Sequence, residues 1–144
     1  MSRRPHLTHL IIRTLIGMVL FFNLTCAIQF LLFPLTYLGI FEILKENGTA
    51  VIRGYGILFI MWNVPYLFAF INPIRFIISL YEAIIMQSIG ILGEGWIMNS
   101  LPQHVEQTKN MVSRFLYFDI FGLMALFSAL IIIKNFTQTQ LSTE

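Results

Sequence analysis

Glu82, in the run SLYEAIIMQ, and Asp119, in RFLYFDIFGL, place carboxyl groups in stretches that otherwise read as hydrocarbon-phase helix. An acid in such a setting must be paired, neutralised or used, because a charge facing lipid costs about 2.5–3.5 kcal/mol even on the lenient insertion scale. Three chemistries are open to it: proton exchange, hydrogen bonding to a bound molecule, and interhelical bonding that holds a bundle together.

Helical rise separates the two acids. Counting about 1.5 Å per residue from Arg75 puts Glu82 roughly 10 Å below one membrane boundary, near the midplane and out of easy reach of an arginine. Asn23 and Asn63 lie at comparable depth on their own runs, and Ser79 shares a helical face with Glu82. Glu82, Asn23, Asn63 and Ser79 therefore form one expected polar cluster, with Gln87 and Tyr81 falling on other faces. The cluster's role is divided between a ligand or proton site and interhelical bonding. Asp119 lies only roughly 7 Å beyond Arg114 by the same count, at the level of Arg53. An architectural ion pair of Asp119 with Arg53, and Arg114 beside it, is the expectation there.

The elements that position these groups follow from composition. Of 144 residues, 57% are hydrophobic and only 11% are charged, which is the balance of a chain solvated by lipid. Apolar runs at about 12–33, 53–71, 73–92 and 112–133 predict a single domain over 1–144: an all-α, four-helix transmembrane bundle with both termini on one side. Pro34 ends the first run, Asn72-Pro73 makes the turn between the second and third, Gly93 and Gly95 stop the third, and Lys134-Asn135 ends the fourth. Residues 34–50 place Leu38, Phe41 and Leu44 on one face, predicting a short interfacial helix after the first span, with a partly embedded loop as the alternative. Pro65 predicts a kink in the second span and an unbonded carbonyl near residue 61. Basic residues divide into Arg3, Arg4, Arg13, Arg75 and Lys134 on the terminal side and Lys45, Arg53, Lys109 and Arg114 on the other, which favours cytoplasmic termini.

Several function classes are unsupported. Cys26 is the single cysteine, so this chain by itself carries no dithiol redox pair. His6 and His9 share a face at the polar entrance to the first span without a further histidine in any span, which argues against haem ligation. His104 and Glu106 lack zinc-site spacing, and there is no HExxH, GxSxG or phosphate-binding glycine loop. No metal site and no catalytic motif is expected. A net charge of +2 with no basic tract argues against nucleic acid as a partner.

Taken together, RGYGILFIMWNVPYLFAFINPIRF, SLYEAIIMQSIGILGE and RFLYFDIFGL resemble the small four-helix BphX-like proteins within the wider DoxX-like group, over about residues 50–125. The matching positions are Arg53, Asn63, Pro65, Arg75, Glu82, Gln87, Glu94, Arg114 and Asp119. The resemblance implies a four-span protein of the bacterial inner membrane, sometimes encoded beside oxidative or aromatic-degrading enzymes, and carries no catalytic assignment. Two functions remain open. One is an accessory or scaffold protein, partnered by the lipid bilayer and by subunits of a membrane complex, holding a hydrophobic small molecule near Glu82. The other is a redox-associated protein that binds quinone, with Glu82 as hydrogen-bond or proton donor.

Overall fold

The computed structural model describes residues 3–40, 45–102 and 104–141, and these form helices joined by short turns, with no strand among them. The first helix, α1 (Arg3–Leu32), is unbroken for 30 residues. Pro34, which cannot donate to the preceding turn, ends it and starts α2 (Pro34–Leu38), since proline is compatible with a first helical turn. This short helix stands where an interfacial one was expected, and its Leu38 packs with Phe30 and Ile52. Phe41 and Leu44 of the expected face lie outside the described residues.

The second span is two helices, α3 (Lys45–Trp62) and α4 (Val64–Ile71), divided at Asn63. The Asn63 backbone N–H lies between the carbonyls of Phe59 (3.2 Å) and Ile60 (3.1 Å), and its side-chain Nδ2 donates to the Phe59 carbonyl at 2.6 Å. Pro65 sits in the first turn of α4, so the expected kink is a change of helix. Asn72 is extended, as a residue before proline must be, and its Oδ1 accepts from the Arg75 N–H at 3.0 Å. At the end of α4, the exposed Arg13 Nε donates to the Phe70 carbonyl at 3.1 Å, satisfying an acceptor that the helix leaves unbonded.

Two boundaries differ from expectation in ways that move the functional residues. The helix α5 (Ile77–Ser100) runs straight through Gly93 and Gly95. Glycine costs a helix only about 1 kcal/mol relative to alanine, whereas breaking the backbone ladder inside hydrocarbon costs several kcal/mol per unsatisfied group. The last helix, α6 (Glu106–Leu141), takes in the polar EQTKN segment, with Glu106 in its first turn favouring the helix N-terminus. The middle of α5 therefore falls beside Gln87 and Ser88 instead of at Glu82. Asp119 lies roughly 20 Å from the start of α6 by helical rise, deeper than the roughly 7 Å counted from Arg114.

His6–Leu32, Asn47–Ile71, Ile77–Ser100 and Glu106–Thr139 are each long and apolar enough to cross a bilayer. The outer surface agrees: Leu92 is 74% exposed, Ile78 70% and Phe121 67%, an arrangement suited to lipid and not to water. The molecule is a four-helix membrane protein.

Around the bundle, α1 packs on α3, α4 and α6, and α5 packs on α4 and α6. A main core joins Ile12, Ile16 and Val19 of α1, Tyr66 and Ala69 of α4, Leu80 and Ala83 of α5, and Ala125, Leu126 and Ala129 of α6. The alanines matter because lipid is as apolar as leucine, so association depends on close approach and packing. Gly56 brings α3 onto α1: a Cβ there would lie 2.9 Å from the Ala27 carbonyl oxygen and 2.8 Å from Leu31 Cγ. Backbone cannot yield as a side-chain tip can, so Gly56→Ala is expected to cost about 1–3 kcal/mol in a detergent unfolding titration. An unchanged midpoint would show that the two helices are free to separate there.

Candidate functional site

The helix change at Asn63 gives the two halves of the second span different neighbours. The α4 half closes the ring against α1 and α5, whereas α3 packs along α1 and α2. Between α3 on one side and α5 and α6 on the other lies a cavity of about 1010 Å³. Its lining runs from exposed Leu58 and Met61 to buried Asn23 and Gln87, so it connects the surface of the spanning region with the interior. Aromatic side chains supply much of the wall, among them Phe22, Phe59, Trp62, Phe115 and Phe118.

A directed chain of hydrogen bonds sits at its inner end. The Tyr66 hydroxyl lies 2.5 Å from Gln87 Oε1 and 3.1 Å from the Ala83 carbonyl. Gln87 Nε2 donates to Asp119 Oδ1 at 2.7 Å and lies 3.4 Å from the Asp119 carbonyl. Tyr66 is fully buried and Gln87 is 2% exposed, so this network must be satisfied from within the protein.

Glycines make the room. A Cβ on Gly90 of α5 would collide with Asp119 Oδ2, and one on Gly122 of α6 would stand 2.8 Å from Gln87 Nε2. Each helix thus inserts a polar side chain into the gap left by a glycine on the other. The same spacing appears twice, as QSIG at 87–90 and DIFG at 119–122, and this reciprocal pattern locks α5 to α6.

The expected sites are redistributed by this geometry. Asn23 and Asn63 are buried, at 5% and 2% exposure, and Asn23 lines the cavity. Glu82 does not join them: it is exposed on the outer face of α5, beside exposed Ile78 and Ile85, with half-buried Ser79 one turn away. The face of α5 that packs on α4 and α6 carries Leu80, Ala83, Ile84 and Gln87, and Glu82 falls off that face. The expected ion pair of Asp119 with Arg53 is likewise not formed. Arg53 is exposed on α3, which does not pack along α6, and the Asp119 side chain takes its hydrogen bond from Gln87. Arg114 is also exposed, although it lines the cavity.

Comparison with protein families, curated proteins and solved structures gave no match. The site's chemistry therefore stands on its own groups. Glu94, seven residues beyond Gln87 on the same face of α5, lines the cavity, and its Oε2 is buried with no hydrogen-bond partner. Asn63 Oδ1 is in the same condition. At the far side of the cavity the Tyr37 hydroxyl donates to Gln29 Oε1 at 2.6 Å. Burial pushes the Tyr37 pKa up, Cys26 adds to this and Arg114 opposes it, so the hydroxyl keeps its proton and its donor role. No group of three or more His, Cys, Asp or Glu side chains suited to a metal ion occurs among the described residues.

Gln87 and Glu94 carry much of this site, yet periodicity from Glu82 pointed away from both. The signal available was the stripe Ala83, Gln87, Gly90, Glu94 at helical spacing, small and polar residues alternating on one face.

Proposed function

We propose that this protein is an integral membrane accessory or scaffold protein that holds a hydrophobic small molecule in the cavity between α3, α5 and α6. The observation that carries this is the cavity itself: about 1010 Å³, mostly apolar walls, and a few polar groups gathered at the inner end. Ligand sites are generally of about 300–1,000 Å³ with this division between apolar walls and a few orienting polar groups. The resemblance to BphX-like and DoxX-like proteins, a bacterial inner-membrane location with cytoplasmic termini, and membership of a membrane complex belong to the same proposal. Its positions Gln87, Glu94, Arg114 and Asp119 all line the cavity.

Quinone is the alternative occupant. Its donor was expected to be Glu82, which faces outward. Quinone oxygens accept hydrogen bonds, and the unbonded oxygens of Glu94 and Asp119 are acceptors when ionised. A quinone is complementary to this site only where one of these carboxyl groups is protonated and donates.

The reading is tested by purifying wild type and Cys26→Trp in mild detergent and analysing organic extracts and intact mass. Cys26 lines the cavity, so a tryptophan there fills part of it. Wild type should release a hydrophobic molecule that the variant lacks, while both give the same helical circular dichroism. Identical extracts containing bulk phospholipid alone would defeat the proposal.

A further inference from the structure

The hydrogen-bond inventory of the cavity specifies the head group of its guest. The bonded donors of the inner network are the Tyr66 hydroxyl, which donates to Gln87, and the Gln87 amide, which donates to Asp119. What remains unbonded toward the cavity is two carboxyl oxygens and one side-chain amide, on three helices. Asp119 Oδ2, on α6, lies against Gly90 and takes no hydrogen bond from a described residue. Glu94 Oε2, on α5, is buried without a partner. Asn23, on α1, is 5% exposed, lines the cavity and makes no hydrogen bond with any described residue.

Glu94 Oε2 is buried without a partner, which is costly, and the buried Asn23 amide and the half-buried Asp119 Oδ2 stand unbonded on the same cavity, an arrangement that assigns the partner to the ligand. Two of the three are carboxyl groups, and no ion pair to either is formed among the described residues. The basic residue of the lining, Arg114, is exposed and lies close enough to Tyr37 to act on its hydroxyl, at the other side of the cavity. Phe22, Trp62 and Phe118 provide aromatic faces nearby, which attract cations through their ring quadrupoles.

Building on the cavity-binding function, we infer that the guest is an amphiphilic amine: a protonated primary ammonium held by Asn23, Glu94 and Asp119, with an apolar body among the aromatic side chains. An ammonium brings three N–H donors and no acceptor, which suits a site with acceptors to spare. A hydroxyl head brings one donor and leaves the carboxyl groups without a counter-charge. A carboxylate head would add a further negative charge and is excluded by the same inventory.

Three probes with one apolar body test this in nanodiscs: naphthylethylamine, naphthylethanol and naphthylacetate. The chain has 2 tryptophans, so Trp96→Phe leaves Trp62 in the cavity wall as the sole indole, reporting a bound naphthyl group by energy transfer. The amine is expected to bind about tenfold more tightly than the alcohol, equivalent to about 1.4 kcal/mol, and the carboxylate least. Glu94→Gln, which lies outside the Tyr66–Gln87–Asp119 network, should lower amine affinity about tenfold and leave the alcohol within about twofold. Asp119→Asn, which keeps an acceptor for Gln87, should do the same.

Equal binding of amine and alcohol, or an amine affinity indifferent to Glu94→Gln and Asp119→Asn in folded protein, would overturn the amine while leaving a hydrophobic cavity site standing. Failure of all three probes to reach Trp62 would overturn both.

Discussion

Gln87→Leu is expected to destabilise the bundle by about 2–3 kcal/mol, more than the loss of an ordinary interhelical hydrogen bond. Such bonds average about 0.6 kcal/mol in membranes, with a maximum near 1.7. Leucine nearly preserves the volume of Gln87, so the cost does not come from a void. It comes from Asp119 Oδ1, which accepts from Gln87 Nε2 at 2.7 Å and would keep no donor among the described residues. A buried acceptor stripped of its partner costs about 1–3 kcal/mol, more when charged. Tyr66 suffers less, because its hydroxyl also has the Ala83 carbonyl at 3.1 Å. Replacing both partners, Gln87→Leu with Asp119→Leu, removes the stranded group and should recover at least 1 kcal/mol of the loss. Reversible unfolding of wild type, the two single variants and the double variant in mixed micelles forms the required cycle. Additive losses would mean that Gln87 and Asp119 do not depend on one another.

How the acids were assigned shows what a membrane sequence discloses. Number and class of helices were legible because lipid imposes them: four apolar runs, few charges and no polar face large enough for water. Depth was not legible, because it was measured from helix ends, and those ends were set by rules learned from water. Gly93 and Gly95 would stop a helix in solvent, but in hydrocarbon the ladder continues through them to Ser100. The inward face was not legible either: depth counted from Arg75 makes Glu82 central, whereas the packed face of α5 carries Leu80, Ala83, Ile84 and Gln87. The late start given to the fourth span made Asp119 shallow, and so supplied it with arginine partners that the structure keeps outside. Glu82 faces outward and Asp119 accepts from Gln87, so neither acid has the partner its apparent depth gave it. Asn23 is buried and lines the cavity, on a helix with no internal punctuation to mislead a count. The reciprocal QSIG and DIFG spacing was present throughout, but it acquires meaning only when α5 and α6 are known to be neighbours.

Straightening the second span should stabilise the protein and weaken ligand binding. Asn63→Leu with Pro65→Ala removes both causes of the helix change. Asn63 holds the Phe59 carbonyl with its side chain at 2.6 Å while its Oδ1 remains buried without a partner. Proline denies an N–H to the carbonyl four residues earlier, at Met61. With alanine at 65 that donor returns, and with leucine at 63 the orphaned oxygen disappears. Together these changes are expected to raise stability by about 1–3 kcal/mol. The same continuity commits α3 to the direction of α4, which packs on both α1 and α5, so α3 must move toward α5 and reduce the 1010 Å³ cavity. Ligand retention should then fall about tenfold or more, equivalent to at least 1.4 kcal/mol. Spin labels on Ile57 of α3 and Ile89 of α5, both exposed, would report the closure as a shorter distance. A double variant that is less stable and no narrower would make the break a packing requirement. One that is more stable, narrower and empty would show that a buried unsatisfied asparagine and a proline are kept at a cost in stability to hold the cavity open.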